Sequence, residues 1–131
     1  MILTNKEEAI RWFKDNDISN FIPQEFYCSC GCNELLLDTD LVKYLQYLRT
    51  ELGIPLKINS GYRCIAHNTA ISGSVDSQHT KGKAVDISCT NSTFRYKILT
   101  SSSTKNFKGI GLHKQFIHLD TRDSISVVFL Y

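Results

Sequence analysis

The stretch SQHTKGKAVD, Ser77 to Asp86, places one histidine and one aspartate seven residues apart. A neutral imidazole and a carboxylate both serve as zinc ligands. Gly82 between them lets the backbone turn sharply, and KAVDIS then alternates as a short strand. On that strand Ala84, Asp86 and Ser88 share one face, while Val85 and Ile87 point into a core. The methyl of Ala84 leaves room beside the carboxylate. His and Asp are common surface residues, so the pair gains meaning only with a third ligand.

That ligand lies in GIGLHKQFIHLDTR, Gly109 to Arg122, where alternation puts Phe116, His118 and Asp120 on one face of a strand and Ile117 and Leu119 on the other. His79, Asp86 and His118 then offer three ligands of types N, O and N. A fourth position left to water describes a catalytic zinc site, since a structural one is closed by four protein ligands. Zinc held there would bring the pKa of its water to about 7 and act as a Lewis acid.

Three segments in order, SGYRCIAHN (Ser60 to Asn68), SxHxxGxAxD (Ser77 to Asp86) and GIGLHKQFIHLDTR, resemble the motifs of peptidase family M15, the zinc D-Ala-D-Ala carboxypeptidases and endolysins, whose fold is shared with hedgehog signalling domains. The resemblance runs from about Phe26 to Arg122. It implies an α+β domain of the hedgehog/DD-peptidase type, zinc on His79, Asp86 and His118, and hydrolysis of a peptide bond in the peptidoglycan stem or cross-bridge, as carboxypeptidase or endopeptidase, in a phage-type lysin. It also gives Arg63 of SGYR the task of holding a substrate carboxylate or oxyanion, for which a planar guanidinium is suited. Ser77 resembles the serine that binds substrate, with a loop-closing hydroxyl as its equal alternative.

One position departs from the pattern. Many relatives carry a Glu or His three residues before the last ligand as general base, and here Gln115 stands there, which takes no proton. Asp120, on the strand face of His118, is the remaining carboxylate and is assigned as base. The alternative function is a non-catalytic zinc-containing module of hedgehog-like fold that binds wall peptide or a protein. His67 and His113 are read as capping or orienting and as surface or supporting residues.

Five cysteines include Cys28, Cys30 and Cys32 in CSCGC, without the paired C-x2-C spacings of a zinc ribbon. They are read as reduced, partly buried thiols, a reading the resemblance supports because Cys-rich runs recur there outside the catalytic centre. A second structural zinc that recruits Cys64 or Cys89 is the alternative, and disulfides come third.

The 131 residues predict one domain spanning 1–131. With 42% hydrophobic and 21% charged residues, the composition is that of a folded globular chain, and a net charge of +2 with no basic aromatic stripe argues against a nucleic-acid partner. MILTNKEEAIRWF is not a secretory signal, and no apolar run is long enough to enter a bilayer. The expectation is a monomer made in a cytoplasm, reaching a peptidoglycan peptide after holin action, lysis or virion delivery.

Helices are predicted over 4–15, with Thr4 and Glu7 as a capping box, from Asp38 or Thr39 to Gly53, over CIAHNTAIS, and over 93–101 with Ser92 as cap. Residues 21–37 read as irregular or short-stranded. Leu56 to Asn59 read as a strand delivering Arg63, 72–80 and SSSTKN as loops, and SISVVFLY as the last strand. Helices and strands without βαβ alternation predict one mainly antiparallel sheet with helices packed around it.

Overall fold

A computed structural model describes residues 1–32 and 34–131. A short pair, β1 (Ile2–Leu3) and β2 (Leu37–Asp38), stands apart from the main sheet. The main sheet contains β3 (Ile58–Ser60), β4 (Ala84–Ser88), β5 (Gly109–Leu112), β6 (Phe116–Asp120) and β7 (Val127–Leu130), in the spatial order β3-β4-β6-β5-β7. Every neighbouring pair is antiparallel except β5 and β7. The architecture is α+β, with that one parallel edge as an addition to the expected pattern.

The helices are α1 (Lys6–Asp15), α2 (Thr39–Leu52), α3 (Ile65–Ala70) and α4 (Ser92–Thr100). The caps of α1 and α4 correct the sequence reading by one residue. Asn5 caps α1 by accepting a hydrogen bond from the Glu8 N–H at 2.7 Å, and Asn91 caps α4 through the Phe94 N–H at 2.7 Å. Both asparagines adopt extended backbone and leave Thr4 and Ser92 out of the cap. Asp38 caps α2, and Gly53, in the left-handed region at φ 63°, ends it. Three short 3-10 helices, Pro23–Phe26, Gln78–Lys81 and Ser102–Asn106, replace stretches that the sequence suggests are irregular.

Leu41, Val42, Leu45 and Leu48 of α2 belong to the same hydrophobic core as Val85, Ile87, Ile117 and Leu119 on the inner face of the sheet, all fully enclosed. Each fully buried aliphatic side chain contributes roughly 1.5–3 kcal/mol, so this layer sets the position of β4 and β6 firmly. Because side chains alternate along a strand, burying 85, 87, 117 and 119 drives 86, 118 and 120 to the opposite face.

Candidate metal centre

The site begins as a matter of register. Asp86 and His118 are direct cross-strand partners in the β4–β6 ladder, with Ala84 opposite Asp120. His79 arrives from the Gln78–Lys81 turn, which Ser77 caps by accepting from the His79 N–H at 3.2 Å. The turn closes at Gly82, in the left-handed region at φ 72°, where a β-carbon would also strike the Leu36 and Leu37 backbone. The sharp turn between the two motif residues therefore requires glycine.

His79 Nε2 lies 3.2 Å from Asp86 Oδ1, and His118 Nδ1 lies 3.3 Å from the same oxygen. One donor atom from each of the three falls within 4.8 Å of the others, and all three residues are buried. The remaining ring nitrogens fix the tautomers. His79 Nδ1 is 2.8 Å from the Gly61 carbonyl, an acceptor, so Nδ1 carries the proton and Nε2 keeps its lone pair. His118 Nε2 is 2.7 Å from Asp120 Oδ2, which leaves Nδ1 bare. That Nδ1 is buried and makes no hydrogen bond despite its closeness to Asp86. An orphaned imidazole nitrogen, a second bare nitrogen and a carboxylate oxygen aimed at one point fit zinc in donor type and number.

Electrostatics agree with a carboxylate held charged at this point. Burial pushes the Asp86 carboxyl up, but the close approach of His118 and His79 outweighs it and holds the group well below the usual carboxylate range.

Asp120 is the main departure from the expected roles. It is fully buried, and its oxygens accept from Arg122 Nε at 2.9 Å, Arg122 Nη2 at 2.6 Å and the Arg122 backbone N–H at 3.1 Å, besides His118. It meets the His118 ring at Nε2, the edge remote from Asp86 and the bare Nδ1. Burial raises the Asp120 carboxyl, yet Arg122 and His118 outweigh burial and hold it low. A carboxylate so placed orients the imidazole and is closed to solvent; it does not face the point where Asp86 and the two bare nitrogens converge. From that position Asp120 is placed to orient His118, a role distinct from the general base expected of it. Gln115 offers no substitute: it is exposed in the β5–β6 turn, where its carbonyl accepts from the Cys89 N–H.

Arg63 follows β3 and precedes α3, as expected. Its Nη1 donates to Asn68 Oδ1 at 3.1 Å, its Nη2 stands 3.8 Å from Asp86 Oδ2, and its Nε is buried without a partner. The guanidinium thus retains donor capacity beside the metal ligands. Arg63, Ser77, His79 and His118 together line an open cleft of about 480 Å³. Arg122, Phe129 and Tyr131 line it as well, and the sequence reading missed them. The signal for Phe129 was the strand SISVVFLY, but only the parallel pairing of β7 with β5 sets Phe129 opposite Gly111 and its ring 5.3 Å from His118. His67 and His113 stay apart from the three: His67 Nε2 is near Ser29 Oγ at 3.4 Å, and His113 stacks on Phe116.

The cysteines regroup. Cys28, Cys30 and Cys32 are joined by Cys64, whereas Cys89 is buried separately with its thiol near the Asn91 carbonyl. All five are free of disulfides.

An α+β sheet that presents a His-Asp-His set in an open cleft beside an arginine defines a metallopeptidase-type centre. A family model described as Peptidase M15 matches residues 19–120, most of the chain, and the protein belongs to that family of zinc-dependent peptidases. No curated protein matches the chain. Among the described residues, no helix is long and apolar enough to cross a membrane.

Proposed function

We propose that this protein is a zinc peptidase that hydrolyses a peptide bond of the peptidoglycan stem or cross-bridge, as the lysin-type members of its family do. The observation that carries the reading is the buried, unpartnered Nδ1 of His118, converging with His79 Nε2 and Asp86 Oδ1 on a point open to the Arg63 cleft. His79, Asp86 and His118 would hold the ion. Zinc bound there would supply Lewis acidity for amide hydrolysis.

The chain's own residues divide the remaining work. Arg63 has an unpartnered Nε and a fork suited to a substrate carboxylate or to oxyanion charge. Asp120 keeps the Nε2 proton of His118 in place and is itself clamped by Arg122. Gly61 does the same for His79 through its carbonyl. Ser77 holds the His79 turn closed while its residue borders the cleft, so the structural and substrate-facing roles share one position.

Purified sacculi of several wall chemotypes, incubated with the protein and assayed for released amino groups, test the proposal. Chelator-sensitive release is expected, and His118→Ala should abolish it. Absence of release on every chemotype from fully metallated protein would overturn the peptidase reading in favour of a wall-binding or protein-binding module, which sedimentation with the sacculi would then reveal. The released fragments identify the scissile bond and so separate carboxypeptidase from endopeptidase.

A further inference from the structure

We infer that Cys28, Cys30, Cys32 and Cys64 form a second, structural zinc site of tetrathiolate type, which departs from the expected reading of reduced, partly buried thiols. The four sulfurs lie within 4.8 Å of one another. Cys28 Sγ is 3.4 Å from Cys30 Sγ, and Cys30 Sγ is 3.6 Å from Cys64 Sγ. A disulfide would bring two sulfurs to about 2.05 Å. A tetrahedron of thiolates around zinc, with Zn–S near 2.3 Å, has edges of about 3.8 Å, close to the spacing seen here. Four protein ligands close such a site, in contrast to the three around His118.

The local backbone is shaped for sulfur that carries charge. The Cys64 N–H points at Cys28 Sγ and the His67 N–H at Cys64 Sγ, each at 3.4 Å. Gly31, at φ 84°, reverses the chain between Cys30 and Cys32 so that alternate residues of one short loop turn to the same point. Cys28 and Cys64 are buried while Cys30 is exposed, which gives the ion one accessible side for loading. Thiols that are only weak donors and acceptors gain little from such crowding without an ion.

The location gives the site its consequence. Cys64 is the cap of α3 and follows Arg63 directly. On the other side, Tyr62 N–H bonds the Phe26 carbonyl at 2.9 Å, and Gly61 packs on the Phe26 backbone. A metal joining 28–32 to residue 64 would therefore clamp the segment 61–64, which supplies the Gly61 carbonyl to His79 and the Arg63 fork to the cleft. This role does not depend on the peptidase reading.

Metal counting and cobalt spectroscopy on the whole chain test it. Protein prepared under reducing conditions should hold two zinc ions, and cobalt in their place should show the sulfur-to-cobalt charge-transfer absorption of a thiolate site. His79→Ala should drop the count to one and retain that absorption. Cys30→Ser, at the exposed ligand, should also drop the count to one and lose the absorption, with turnover on sacculi reduced although the other ion remains. Wild-type protein lacking the cobalt-thiolate absorption would overturn the inference without recourse to any variant. So would two ions retained in Cys30→Ser. A single ion that shows the thiolate absorption and survives His79→Ala would leave the inference standing and remove the His-Asp-His site instead.

Discussion

Gly109 lies directly opposite Asp120 across the β5–β6 ladder, and the volume that a side chain at 109 would fill is occupied by the Asp120 carboxylate. A β-carbon there would collide with all three carboxylate atoms. Gly109→Ala should thus move Asp120 off the His118 ring. Overpacking of this kind costs about 1–3 kcal/mol, and loss of a carboxylate that orients a ligating histidine weakens metal affinity roughly 10-fold to 100-fold. Thermal unfolding together with competition against a chromogenic chelator would measure both; an unchanged zinc affinity would show that His118 needs no such support.

Asp120→Asn separates orientation from proton transfer. The amide oxygen can still accept from His118 and Arg122 Nη2, but the NH2 group then faces the Arg122 backbone N–H and Nε that the other carboxylate oxygen now accepts from. Zinc affinity should fall roughly 10-fold to 100-fold, and turnover should recover when zinc is raised to saturation. A general base would behave differently, since its loss costs about 100-fold to 10,000-fold in rate at full metal occupancy. The saturated rate is the deciding measurement.

Arg63→Ala should leave metal content nearly unchanged, because Arg63 approaches the Asp86 carboxylate only at a long 3.8 Å. Turnover should drop roughly 100-fold to 1,000-fold, as for removal of an oxyanion donor. Arg63→Lys should recover little, since an ammonium lacks the fork that engages Asn68 on one arm and leaves another donor facing the cleft.

Acid sensitivity has a contributor outside the His-Asp-His site. Glu51, at the end of α2, accepts from the Ser102 N–H and Oγ and from the Ser103 N–H, tying the 3-10 helix Ser102–Asn106 to α2. Hydrogen bonds from Ser103 and Ser102 lower its carboxyl from 4.5 to about 2. A depressed carboxyl stabilises the fold above its unfolded pKa and loses that contribution as pH falls through the folded value. Wild type should therefore be more stable than Glu51→Gln at about pH 6, and the gap should close as pH falls from about 4.5 to about 2. A gap that is constant with pH would show that the ionised form adds nothing.

The strand faces that bear Asp86 and His118 were legible from alternation, because core burial of Val85, Ile87, Ile117 and Leu119 leaves those side chains no other direction. Helix α2 was legible for the same reason, its apolar spacing being an imprint of the surface it covers. What escaped the sequence depends on distant pairing. Nothing near Cys64 announces that Phe26 will hold Tyr62 and so bring Cys64 to the Cys28 loop. Likewise, Asp120 shares a strand face with His118, but which edge of the imidazole it meets is set by Arg122 and by the space at Gly109. The parallel placement of β7, and with it Phe129, follows from a crossing over β5 that local patterning does not encode.

The pairing of Asp86 with His118 also sets when the ion can act during folding. Helix α4 and the β5–β6 turn lie between these residues in the chain, so β4 and β6 must find each other across a long loop before three donors converge. Such nonlocal pairing is slow, and early structure is dominated by local contacts such as those within α2. An ion at His79, Asp86 and His118 then has no partner set to grip until the rate-limiting step is past. Its stabilisation should appear as slower unfolding, with the refolding rate little altered by chelator.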